Sequence, residues 1–123
     1  MTLAGIHFKD GYRSGYGGAL SNWSSALVSV QGCKLSSNQA GANGGGISAR
    51  DSGTTINIFT TIFDGNTATN VGDDIYVSDS AFVTVHSSCP QDWSGTPAAG
   101  SNLDIYAVNG SPISGTTKSF DIR

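Results

Sequence analysis

The sequence predicts an all-β chain folded as a parallel β-helix, a solenoid of about four coils with three short strands in each. Two observations predict it: a long-period repeat and a short-period alternation. The phrase Phe63-Asp64-Gly65-Asn66-Thr67-Ala68, followed by Gly72-Asp73-Asp74-Ile75-Tyr76, has counterparts along the whole chain. Residues equivalent to Phe63 are Phe8, Leu35, Trp93 and Phe120, spaced in chain order by 27, 28, 30 and 27 residues. An aliphatic residue follows four of these markers by 12 positions, at Leu20, Ile47, Ile75 and Ile105. A fixed period of this length marks stacked units, each too small to bury its own apolar face.

Within a period the apolar residues alternate with polar ones, which is the strand period and not the helical one. The alternation is plain in Val28-Ser29-Val30, Ile56-Asn57-Ile58, Ile75-Tyr76-Val77 and Val83-Thr84-Val85. Gly, Asn and Asp stand between the apolar patches and supply turns. No stretch combines sustained helical spacing with helix caps. Successive coils at about 4.8 Å would place Leu20, Ile47, Ile75 and Ile105 in one internal column. Phe8, Leu35, Phe63, Trp93 and Phe120 would form a second. A β-sandwich would have to reproduce the 12-residue offset four times by coincidence, and the regular columns argue against disorder.

Gly17-Gly18-Ala19-Leu20 and Gly44-Gly45-Gly46-Ile47, with the FxxN-like phrases before them, resemble the repeats of polymorphic outer membrane proteins. Those repeats pair GGA[ILV] with FxxN. The resemblance implies that the β-helix is right-handed. It spans nearly the whole chain as a repeat pattern and implies little about activity. The fourth coil departs from it, with Trp93-Ser94-Gly95-Thr96 and Leu103-Asp104 in place of the two motifs. The membrane barrel of that family has no counterpart in these residues, so no outer-membrane role is carried over.

The chain of 123 residues reads as one β-helix domain over 1–123, either an uncapped segment of something longer or a filament protomer. Only 12% of residues are charged and 17 are glycine. That composition suits a turn-rich extracellular or cell-surface protein. A net charge of −3 without a basic cluster makes nucleic acid an unexpected partner. No apolar run is long enough for a membrane span. The first residues, Met1 to Phe8, already read as strand, without a basic leader or cleavage site.

In chain order, Tyr12-Arg13-Ser14-Gly15-Tyr16 is a turn that could meet a sugar face or a partner, and is otherwise a solvated loop. Asn22-Trp23-Ser24 and Asn109-Gly110-Ser111 are glycosylation sequons, which require exposed turns. Both fall in or beside one turn column, so Asn22 and Asn109 are the candidate glycan acceptors. Asn38 and Asn66 align on neighbouring coils and suggest a structural asparagine ladder, interrupted at Gly11 and Thr96. Cys33 and Cys89 lie 56 residues apart, which is two coils and about 9–10 Å of rise. A disulfide requires less, so they are bridged only if the stretch around Cys89 folds back; otherwise Cys33 is a buried thiol.

Asp73 and Asp74 form the one carboxylate pair that suggests glycosidase chemistry. The aligned positions on other coils are the glycines beside Ala19, then Gly45-Gly46 and Leu103-Asp104, of which only Asp104 is a carboxylate, and His7 and His86 fall in other columns. Turn capping is therefore expected of the pair, and neither a catalytic residue nor a metal ligand is assigned. A calcium site on Asp73, Asp74 and Asp104 is the alternative that clustered oxygens allow. Phe59, Ile62, Tyr76, Phe82 and Tyr106 are expected to face outward, with Tyr76 and Tyr106 aligned as a contact face. Thr54, Thr55, Thr60, Thr61 and Thr84 do not share a column, as an ice-binding array would require.

The expected function is non-enzymatic: a structural, extracellular or surface β-helix that self-associates end to end, as a glycosylated filament subunit. No cofactor is expected. The partner would be a second copy of the chain, with Phe8 and Phe120 as the assembly edges, laid in register because both are markers. The alternative is a carbohydrate-binding or carbohydrate-acting module on the same fold.

Overall fold

The computed structural model describes residues 1–59 and 61–84 in full, and the backbone of residue 85 and of the strands over 103–107, 113–115 and 120–122. It is all-β, a parallel solenoid of about three turns. The first coil is built from β1 (Thr2–Ala4), β2 (His7–Lys9), β3 (Tyr12–Arg13) and β4 (Leu20–Asn22). The second repeats it as β5 (Leu27–Gln31), β6 (Lys34–Ser36), β7 (Gln39–Ala40) and β8 (Ile47–Ala49). The third is β9 (Thr55–Phe59), β10 (Ile62–Asp64), β11 (Thr67–Ala68) and β12 (Ile75–Val77). Then come β13 (Phe82–Val85), β14 (Leu103–Ala107), β15 (Ile113–Gly115) and β16 (Phe120–Ile122).

Equivalent strands stack into four parallel sheets. Sheet A runs β1-β5-β9-β13-β15, sheet B β2-β6-β10, sheet C β3-β7-β11, and sheet D β4-β8-β12-β14-β16. Each complete coil therefore has three strands of three to five residues and a two-residue strand in sheet C. The register places the expected columns. Leu20 pairs with Ile47, Ile47 with Ile75, and Ile75 with Ile105 in sheet D. Phe8, Leu35 and Phe63 align in sheet B. Val28 and Val30 lie beside Ile56 and Ile58 in sheet A.

These columns are the core. Leu35, Ile47, Ile56, Ile58 and Ile75 are at most 1% exposed, and burial of each such side chain contributes about 1.5–3 kcal/mol. Leu3, Phe8 and Leu20, in the first coil, are only partly buried against them. Phe59 and Ile62, expected outside, also pack partly against this core, whereas Phe82 is exposed.

Phe120 departs from its expected column. Its strand β16 pairs with β14, Leu103 opposite Phe120 and Ile105 opposite Ile122, so it belongs to sheet D and not to the sheet of Phe8. The reason is chain length. Fifteen residues, 32–46, carry the chain from β5 in sheet A through sheets B and C to β8, whereas only four, 116–119, separate β15 in sheet A from β16. Four residues cannot pass through two further strands, and the 27-residue spacing from Trp93 is a coincidence of sequence. Trp93 itself lies outside the described residues.

The coil turns at positions where the backbone adopts the left-handed region. Gly5 and Gly32 stand at the corner from sheet A to sheet B, and Asp10, Ser37 and Gly65 at the next. Gly17, Gly44 and Gly72 stand before sheet D with φ of 71°, 71° and 68°. At this last corner glycine is required twice over. Side chains rarely adopt that φ, and a Cβ would collide with the carbonyl oxygen three residues ahead, on Leu20, Ile47 or Ile75. The first glycine of each GGA-like phrase is thereby explained. Replacing Gly44 by Ala is expected to destabilise the fold by roughly 1–3 kcal/mol, read as a lower urea midpoint at unchanged slope. An unchanged midpoint would show that the corner relaxes without cost.

Candidate functional site

The polar residues singled out by the repeat divide between the interior and one outer face. Inside, Asn38 and Asn66 are buried, at 1% and 5% exposure, and form the expected ladder. Asn38 donates its Nδ2 to Asn66 Oδ1 at 2.9 Å and to the Phe8 carbonyl at 3.1 Å. Asn66 donates its Nδ2 to the Leu35 carbonyl at 2.9 Å and to Asp74 Oδ1 at 3.0 Å. Asn66 Oδ1 also accepts the Asn38 backbone N–H, and Asn38 Oδ1 accepts that of Gly11. Gly11 ends the ladder with a backbone donor in place of a side chain. Thr96 lies outside the described residues.

Asp73 and Asp74 serve the scaffold. Asp73 Oδ1 accepts the Ala68 N–H at 2.9 Å, capping the turn, and Asp74, 6% exposed, takes the end of the asparagine ladder. The side chain of Asp104 is outside the described residues, as are Asn109, His86 and Cys89. His7 Nε2 lies 2.6 Å from Ser36 Oγ. Thr54 and Thr61 are fully buried and belong to no surface array.

Cys33 is a free, buried thiol. Its Sγ donates to the Gln31 carbonyl at 3.3 Å and to the Leu3 carbonyl of the coil before at 3.4 Å. One coil on, Thr61 Oγ1 does the same to Phe59 at 2.8 Å and Val30 at 3.4 Å. The two side chains are equivalent corner donors, a role the cysteine spacing does not reveal.

Asn22 is a correction. An exposed acceptor was expected, but the residue is 4% exposed. It is two positions after inward-facing Leu20, so alternation points it inward too, opposite Ala49. Its Nδ2, the atom a glycan would join, donates to the carbonyls of Ala26 at 3.2 Å and Thr55 at 3.3 Å. Trp23 and Ser24, the other members of the sequon, are exposed, Trp23 at 55%.

Trp23 leads to a cluster that the repeat alone does not show. On the outer face of sheet D, the Arg50 guanidinium carbon sits 4.3 Å from the centre of the Tyr16 ring and 5.9 Å from that of Trp23. Tyr16 packs at 5.7 Å and 36° against Tyr76. Ser21, Ser48 and Tyr76 are register neighbours beneath, on β4, β8 and β12. Ser21 Oγ, Ser48 Oγ and Arg50 Nε are buried without a hydrogen-bond partner, and Arg50 has no ion-pair partner among the described residues. The cluster gathers a cation, three aromatic rings and two hydroxyls from three coils. Trp23 and Arg50 are 27 residues apart, so alignment by period was the signal that could have joined them. Tyr16 comes from the loop singled out as a sugar or partner contact, and Tyr76 from the expected outer face; the Tyr106 backbone is in register beside it.

Neither a protein-family model, nor a curated protein, nor a solved structure matches this chain.

Asn66→Ala removes four hydrogen bonds and leaves the Asn38 backbone N–H and the Leu35 carbonyl without these side-chain partners in the interior, an expected loss of about 2–4 kcal/mol in denaturant unfolding. A loss below about 0.5 kcal/mol would mean that water replaces the amide. For Asn22, peptide mass spectrometry of the protein from a glycosylating host is expected to find the residue unmodified. A high-occupancy glycan on folded protein would contradict the burial of its Nδ2.

Proposed function

We propose that the chain is a non-catalytic structural solenoid of an extracellular or cell-surface assembly, and that copies stack end to end. One observation carries the reading: the Leu20–Ile47–Ile75–Ile105 column extends in register to Ile122, the last strand of sheet D. The strands of the first coil are each paired on one side only. A second copy placed head to tail would set β4 on β16, with Leu20 following Ile122, and β1 on β15. Phe8 and Phe120 are thus no longer the mating pair. A heterologous contact of this kind does not close and generates a filament, with the open edges of sheets A and D paired by the next copy. The low charge and hydroxyl-rich composition support the extracellular setting. Asn109 is the one sequon kept as a glycan acceptor. Carbohydrate binding is the second reading, favoured by the aromatic and arginine cluster on sheet D.

Light scattering over a concentration series is expected to show mass growing beyond the monomer, with rods in electron micrographs. Leu20→Lys, at the edge where Ile122 would dock, is expected to return the chain to monomer with its circular dichroism unchanged. A monomer at the highest concentration reached, or growth unaffected by the substitution, would remove the stacking proposal.

A further inference from the structure

The geometry points to an acidic-sugar site on the outer face of sheet D, in which Arg50 binds the carboxylate of a uronic acid residue and Trp23 stacks on its ring. Three features support this. First, the Arg50 guanidinium carbon sits over the Tyr16 ring at 4.3 Å and near Trp23 at 5.9 Å, so the cation is placed by aromatic contacts before any ligand arrives. The planar fork of a guanidinium matches a carboxylate, and a preplaced one loses less freedom on binding. Second, no carboxylate among the described residues pairs with it. Asp51, next in the chain, directs Oδ2 to the Ser24 N–H at 3.1 Å. Third, Ser48 is completely buried beneath the cluster, on the same face, with its Oγ unpartnered; Ser21 Oγ and Arg50 Nε are likewise unpaired. Buried polar groups are costly to leave unbonded, and a small shift of the Arg50 side chain would open these to the hydroxyls of a sugar.

Trp23, 55% exposed at the edge of the cluster, is the platform. An aromatic face takes the apolar side of a pyranose. A neutral sugar would satisfy Trp23 and the serines but not the cation; a simple anion would satisfy the cation alone. An acidic sugar answers all of them. The site lies on the flank of the solenoid and does not depend on the stacking of copies.

The test uses the whole chain with Trp93→Phe, which leaves Trp23 as the only tryptophan. Its fluorescence is followed during titration with oligogalacturonate, with neutral dextran oligomers, and with acetate. The expected result is a saturable change with oligogalacturonate alone, weakened by salt. Arg50→Gln is expected to weaken it at least tenfold, the scale of a lost charged hydrogen bond, with Arg50→Lys failing to restore it. Trp23→Ala, followed by calorimetry, is a second route should Arg50→Gln fail to fold, and it too is expected to bind at least about tenfold more weakly. No saturable response to oligogalacturonate, an equal response to dextran, or undiminished binding by both variants would overturn the proposal.

Discussion

The amide of Asn66 joins two coils of chain at one point in the interior. It donates to the Leu35 carbonyl of the coil before and to Asp74 ahead, and accepts both the backbone and side-chain N–H of Asn38. A β-helix interior needs such a group. Strand backbones satisfy one another by stacking, but at this corner the Phe8 and Leu35 carbonyls and the Gly11 and Asn38 N–H groups are met by amide side chains. A short amide with two donors and an acceptor reaches them. Because the same residue type recurs one coil earlier, each amide serves its neighbour, and the apolar columns are held in one register.

The other corners solve the same problem by different means. Before sheet B, the Cys33 thiol and the Thr61 hydroxyl make the same two contacts, to the residue two before and to the coil below. A weak donor and a strong one are interchangeable there because the position needs a short side chain with one proton, not a particular chemistry. Before sheet D, space is the constraint, and glycine recurs. Between sheets D and A, the second coil inserts one residue, since Asn22 opposes Ala49 but Leu27 opposes Thr55. Buried Thr54 fills that turn and accepts the Ser25 N–H at 3.1 Å.

The buried amides among the described residues serve the scaffold, whereas the aromatic and arginine cluster lies on the outer surface. Parallel stacking in register places side chains from successive coils about 4.8 Å apart, so a binding face can be assembled from residues a full period apart. Trp23, Arg50, Tyr16 and Tyr76 illustrate it. Stacking of copies would use the ends of the rod and leave this flank open.

The sequence by itself determined the solenoid, its columns and its ladder. Residues one period apart lie directly over one another in a parallel stack, so Leu20, Ile47, Ile75 and Ile105, or Asn38 and Asn66, can be aligned by counting. Asn22 shows where motif reading fails: the sequon suggests an exposed loop, while its parity with Leu20 turns the amide inward, and burial won. Only the tertiary structure decided the rest. It set the sheet of Phe120, because four residues cannot travel the path that fifteen do. It showed that Cys33 acts as a corner donor, which depends on carbonyls from two coils. It brought Tyr16 to Arg50, because a loop's path across a sheet is set by what it packs against and not by the repeat.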